Sequence, residues 1–222
     1  MLREIAGPAG PLEALLEEPA AGSGVNRDGL FERGRGETAP RAAVVLGHPH
    51  PQYGGTMHTK AVFQSAKALA RIGCAVLRFN FRGVGRSTGT FDAGPGKQDD
   101  FRAALDFVHG TYPGAPLWAA GMSFGSWIAL SVGVDDPRVS TLIGISMPLS
   151  RYDFTPVAES SKAKFFIQAE RDEICPLKDT REFYARAAEP KELVIIDGAD
   201  HVFDGKTSEV AEAIEDLLAD WT

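Results

Sequence analysis

Cysteine is scarce: Cys74 and Cys175 are the only two in 222 residues. Two thiols in unrelated local sequences, neither within a CxxC pair, exclude a disulfide scaffold and a thiol-ligated metal module. They read as reduced thiols of a cytoplasmic protein. Long apolar runs are also missing, and none approaches the ~18 residues that a membrane span needs. Basic side chains are in deficit, 23 against 30 acidic, and the net charge of −7 disfavours nucleic acid or an anionic membrane as a partner. The opening segment MLREIAGPAGPLEALLEEP carries Glu4, Glu13, Glu17 and Glu18 where a signal peptide has a basic stretch followed by an apolar one, so none is expected. Glycine is what the chain has in excess, 24 residues, against a usual share of roughly 7%. Tight turns and close backbone approaches follow from it.

From residue 42 onward, short apolar runs alternate with longer amphipathic stretches. The runs cover residues 42–46, 74–81, 117–121, 141–146, 164–169 and 192–196. They are continuous rather than alternating, as expected of parallel strands buried on both faces. Helical patterns lie between them at 59–72, 97–112, 124–134, 176–188 and 208–221. Repeated strand–helix–strand order implies a three-layer α/β sandwich around a mostly parallel, doubly wound sheet. Residues 2–6 and 12–16, split by turn formers at 7–11, suit a hairpin at a sheet edge. Residues 19–40 lack periodicity and suggest a flexible surface loop. The whole chain reads as one domain, with residues 1–40 appended to a core at 41–222. Residues 148–163 are too short for a lid domain.

One motif sits where its chemistry requires. Gly121-Met122-Ser123-Phe124-Gly125 follows an apolar strand and opens a helical run, the strand–turn–helix context of a nucleophilic serine. The turn strains the serine backbone, so small neighbours are needed, and the helix N-terminus favours developing negative charge. The turn from Arg82 to Gly89 also follows a strand, but Thr88 stands where a dinucleotide fingerprint has glycine and no helix opens after it.

A serine hydroxyl needs a base. Of five histidines, His201 lies just past the last strand, on the sheet edge where Ser123 emerges. An acid should orient its ring. Asp172 follows the strand at 164–169, with Glu170 and Glu173 as local rivals; Asp200 adjoins His201 and is badly placed to bond its ring. The order Ser123, Asp172, His201 is nucleophile, acid, base.

With these residues in that order, the sequence resembles the α/β-hydrolase superfamily over essentially its whole length. It is most similar to small lidless bacterial esterase-like members in which strand 3 is followed by His-Pro-His-Pro and a Gly-Gly pair, here His48-Pro49-His50-Pro51 and Gly54-Gly55. The stretch from Asn80 to Ser87 is similar to the superfamily turn after strand 4. The resemblance implies an oxyanion hole from the N–H of Phe124 and a second N–H after strand 3. His50 is nominated because Pro49 and Pro51 have no N–H; Gln52 and Tyr53 are alternatives. His48, His50 and His58 invite a metal reading, but no regularly spaced further ligand follows. His48 is expected to brace the loop, and His50 or Tyr53 to line the pocket floor. Tyr53, Met122 and Met147 are expected pocket residues, Phe91 and Tyr152 further wall candidates, and Trp127 a core residue.

These expectations amount to a serine hydrolase that cleaves small, short-chain carboxylic esters through an acyl-enzyme, with no cofactor and no metal. Its partner would be a small-molecule ester, with no nucleic acid and no membrane, and it would be a monomer or small homo-oligomer. The same fold and residues serve a thioesterase or a dienelactone-hydrolase-like lactonase, although Ser123 in place of cysteine counts against the latter. A peptidase lacks a gating segment, and a non-catalytic binding module on the same fold is the remaining alternative. Cys175, three residues past Asp172, reads as a partly buried cysteine at a helix start.

Overall fold

The structure is a computed structural model that describes residues 2–20, 39–92 and 94–221. Among these residues, eight strands form one sheet in the order β1-β2-β4-β3-β5-β6-β7-β8. The hairpin β1 (Leu2–Ile5) and β2 (Leu12–Glu17) is antiparallel and pairs antiparallel with β4 (Ala75–Phe79). Every other pairing is parallel, through β3 (Ala43–Gly47), β5 (Leu117–Met122), β6 (Val139–Ile145), β7 (Ala163–Ala169) and β8 (Lys191–Ile196). The expected edge hairpin is therefore present. Of the expected loop at 19–40, residues 21–38 lie outside the described residues.

Side-chain alternation explains the three layers. Val44 and Leu46 of β3 point to the face covered by α1 (Lys60–Arg71) and α6 (Thr207–Leu218), meeting Val62, Leu69, Val210 and Ile214. Ala43 and Val45 point the other way, into a core with Phe101, Leu105, Ile128 and Leu130 from α2 (Pro95–Thr111) and α3 (Phe124–Asp135). With helices on both faces, the central strands can be apolar at every position, which is why their runs are continuous. β2, at the margin, alternates buried and half-buried residues instead. Before β7 begins at Ala163, the segment at 148–163 contains only α4 (Thr155–Glu159), a five-residue helix that a polar, proline-interrupted stretch did not announce. The helix expected at 176–188 is shorter, α5 (Leu177–Arg186), because Ala187 has turned extended.

Parallel order brings the turns after β3, β5, β7 and β8 to one carboxyl edge, where ligands gather. The start of α3 is pressed hard against this edge. A Cβ on Gly125 would lie 2.4 Å from the His48 carbonyl oxygen and 2.5 Å from that of Gly47. One on Gly121 would lie 2.2 Å from the Gly125 carbonyl oxygen. Both motif glycines are thus close-approach positions. Gly110, exposed near the end of α2, has nothing within 4 Å of its virtual Cβ. Denaturant unfolding should accordingly show Gly125→Ala destabilised by about 1–3 kcal/mol through overpacking. Gly110→Ala should be neutral or stabilised by up to about 1 kcal/mol. Equal effects at the two positions would contradict this packing account.

Candidate active site

Ser123 joins β5 to α3 at φ 52°, ψ −125°, a region that non-glycine residues seldom enter. Its N–H donates to the Ile145 carbonyl at 2.8 Å. Its carbonyl accepts from the Ser126 N–H at 2.9 Å and the Ser126 hydroxyl at 2.6 Å. Phe124 is the first residue of α3, so its N–H has no helical acceptor and lies at the positive end of the helix dipole.

His201 stands in the loop after β8, Asp172 in the loop after β7, and the Arg171 N–H to Ala199 carbonyl bond (2.8 Å) ties the two loops together. The Nε2 of His201 lies 2.9 Å from Ser123 Oγ, and its Nδ1 lies 2.9 Å from both Asp172 oxygens. A carboxylate only accepts, so Nδ1 carries the proton and Nε2 presents its lone pair to the serine hydroxyl. Asp172 also accepts from the N–H groups of Ile174 (3.0 Å) and Cys175 (2.7 Å) and from Gln168 Nε2 (3.1 Å). Burial pushes the Asp172 carboxyl up, but the bonds from His201 and the two backbone N–H groups outweigh it, leaving the group below the ordinary carboxylate range. Ser123, Asp172 and His201 are 8%, 6% and 6% exposed, and Ser123 and His201 line the cavity while Asp172 lies behind them. The rival acids lie elsewhere. Glu170 accepts from the Gly198 N–H, Asp200 from the Asp204 N–H, and Glu173 is exposed.

The loop after β3 forms the opposite wall. His48 is fully buried; its Nδ1 donates to the Pro49 carbonyl (2.7 Å) and its Nε2 accepts from the Phe81 N–H (3.2 Å). Both ring nitrogens are used, so His48 braces the loop and has none left for the metal reading. Desolvation lowers its pKa to about 4 and keeps it neutral. Among the alternative amides, the Gln52 N–H is taken by His50 Nδ1 (3.3 Å) and the Tyr53 N–H by the His50 carbonyl (3.1 Å). The His50 N–H has no partner among the described residues.

These elements enclose a cavity of about 220 Å³. His50, Tyr53, Phe124 and Tyr152 supply aromatic walls, with Ser123 and His201 beneath them. Met122 and Met147 do not line it. Met122, the last residue of β5, faces the α1–α6 core, and Met147, in the loop after β6, packs into the α2–α3 core, each 1% exposed. Trp127 stacks on Tyr152 (4.2 Å between centroids, 11° between planes), and Phe91 packs on the His50 ring, so both back the wall rather than form it. Arg151, Ile174 and Val202 are lining residues that the sequence reading missed. Each adjoins a residue it did name, and adjacency at a strand end was the available signal. Cys175 is buried, its thiol lies against the Ser146 carbonyl, and burial pushes its pKa up, which disfavours the thiolate. Asp172, Cys175 and His201 are the one group of three metal-capable side chains among the described residues. Their atoms are already committed to one another, to Ser123 and to backbone.

His48 ties loop geometry to pH. Its folded pKa near 4 lies below the unfolded value of about 6.5, so the unfolded chain binds more protons between these limits. Stability is complete above about pH 6.5 and is lost as pH falls toward 4. Denaturant unfolding at pH 7 and pH 4.5 should show the native protein losing about 2–3 kcal/mol more than His48→Asn. Identical pH dependence in the two proteins would contradict a buried, neutral His48.

Comparison with known proteins agrees with this architecture. The model of the family described as serine aminopeptidase, S33 (Hydrolase_4) matches residues 38–161, more than half of the chain. An uncharacterized protein of Rickettsia prowazekii (strain Madrid E) is 37% identical over 86% of this chain and 83% of its own. An alpha-beta serine hydrolase homologue from Coxiella burnetii is 32% identical over 98% of this chain and 97% of its own, with a TM-score of 0.86. A serine hydrolase without a lid from Xanthomonas campestris is 31% identical over 100% of this chain and 94% of its own, also with a TM-score of 0.86. Among the described residues, no helix is long and apolar enough to cross a membrane. The chain therefore belongs to the serine aminopeptidase S33 family of hydrolases, in its small lidless alpha/beta form.

Proposed function

We propose that the protein hydrolyses small carboxylic esters through an acyl-enzyme on Ser123. The observation that carries this reading is the hydrogen-bonded line Ser123 Oγ, His201 Nε2, Asp172, opening onto the cavity. Ser123 Oγ attacks the ester carbonyl while His201 takes the hydroxyl proton. The oxyanion accepts from the Phe124 N–H and from the His50 N–H, which is favoured over Gln52 and Tyr53 because theirs are already engaged. The tetrahedral intermediate collapses, the C–O bond breaks, and His201 protonates the departing alkoxide. Water then gives a proton to His201 and attacks the acyl carbonyl; collapse returns that proton to Ser123 and releases the acid. Asp172 stays ionised throughout and holds the His201 tautomer.

Two features favour small esters over peptides. The cavity of about 220 Å³ is below the roughly 300–1,000 Å³ of drug-sized sites. Among the described residues, no Asp or Glu lines it to pair with the ammonium of a peptide N-terminus. A small-molecule ester is accordingly the partner proposed.

The test is hydrolysis of p-nitrophenyl esters from acetyl to dodecanoyl. Short chains should be cleaved and kcat/KM should fall as the acyl chain outgrows the cavity. Ser123→Ala should lower kcat on the order of 10⁶-fold, and Asp172→Asn about 10⁴-fold through the wrong His201 tautomer. Equal slow rates for the native protein and Ser123→Ala would overturn the reading.

A further inference from the structure

Among the described residues, the cavity has one permanently charged wall residue, Arg151, and no acid to neutralise it. Among the described residues, Arg78, Arg82 and Arg138 are paired with Glu17, Asp100 and Asp136, and half-buried Arg41 donates to the Ala219 carbonyl. The Arg151 guanidinium makes no hydrogen bond or ion pair among the described residues. The adjacent acid, Asp153, spends a carboxylate oxygen on the Thr155 N–H (2.8 Å), and exposed Glu173, beside lining residue Ile174, forms no ion pair among the described residues. Although the side chain is exposed, its backbone is fixed. The N–H groups of Arg151 and Tyr152 both donate to the Pro148 carbonyl, and the Tyr152 ring is stacked on Trp127. The Arg151 charge is felt by His50, Tyr152 and Cys175, which come from three separate loops around the cavity.

We propose that Arg151 makes this site selective for esters that carry a carboxylate near the scissile carbonyl, the half-esters of dicarboxylic acids and the esters of hydroxy acids. In a chain of net charge −7, a cation with no partner and no acid beside it in the cavity among the described residues favours an anionic ligand over a neutral one of equal size. A planar guanidinium matches a carboxylate with two parallel N–H···O bonds, geometry that a lysine ammonium does not reproduce. The inference rests on the ester-hydrolase reading and adds a substrate class to it.

The test compares substrates of equal shape and different charge. On the acyl side, mono-p-nitrophenyl adipate is set against p-nitrophenyl adipamate; on the alcohol side, 4-acetoxybenzoate is set against 4-acetoxybenzamide. Rates are corrected for uncatalysed hydrolysis. In the native protein, kcat/KM should favour the anion about ten- to hundredfold in at least one pair, as a charge-assisted bond implies. Raising the ionic strength should shrink that ratio. Arg151→Gln should abolish the preference and Arg151→Lys restore part of it. The pair that responds identifies which part of the ester bears the charge. If both neutral esters are cleaved and neither pair discriminates, or if Arg151→Gln leaves the ratio unchanged, the selectivity proposal fails and the esterase reading stands. If no substrate is turned over above the Ser123→Ala rate, the esterase reading fails and this inference with it.

Discussion

Ser123 is held at φ 52°, ψ −125°, and the arrangement of the carboxyl edge follows from holding it there. Such a conformation costs a non-glycine residue about 1–3 kcal/mol and persists only where surrounding structure over-determines it. Here the constraint comes from three sides. β6 fixes the serine N–H through Ile145, Ser126 fixes its carbonyl twice, and Gly125 lets α3 close onto the ends of β3. Relaxing the turn would require all three to give way. The result is a hydroxyl raised out of the sheet, beside an N–H that the helix cannot use and within 2.9 Å of a histidine from another loop.

Two histidines of the site, His48 and His201, show how surroundings assign a role to one chemical group. His48 is fully desolvated, with each ring nitrogen committed to backbone, and its pKa near 4 keeps it neutral as a strut. His201 is given one acidic partner and one hydroxyl, so its Nδ1–H stays bonded to Asp172 while Nε2 takes and returns the serine proton. The struts behind the walls follow the same division of labour. Trp127 supports Tyr152 and Phe91 supports His50, with no place on the cavity surface for either.

Much of this was legible in the residues. The continuous apolar runs located β3 to β8 because both sheet faces are covered, and the glycines at 121 and 125 announced a close approach that the structure places at 2.2–2.6 Å for a Cβ. Ser123, Asp172 and His201 were found because each follows a strand whose carboxyl end is forced to the same edge. The pocket walls were less legible. Met122 and Met147 flank strand ends, but which face a side chain takes there depends on strand register and twist, and both turn into the core. Arg151 and Val202 are cavity residues only because loops remote in sequence close around them. The prolines at 49 and 51 already pointed to the His50 amide, while the engagement of the Gln52 and Tyr53 amides depends on how the loop folds back on His50. α4 escaped notice because five residues with a proline among them carry too little periodicity to read.

The central claim is that Ser123 is an activated nucleophile. Exposing the folded protein to a fluorophosphonate and mapping the adduct by peptide mass spectrometry tests it most directly. The Ser123 oxygen should bond to phosphorus with loss of fluoride, giving one adduct per chain on Ser123 and none on neighbouring Ser126. Labelling should disappear when His201 is replaced by glutamine. An adduct on another residue, or none on a protein shown to be folded, would contradict the account.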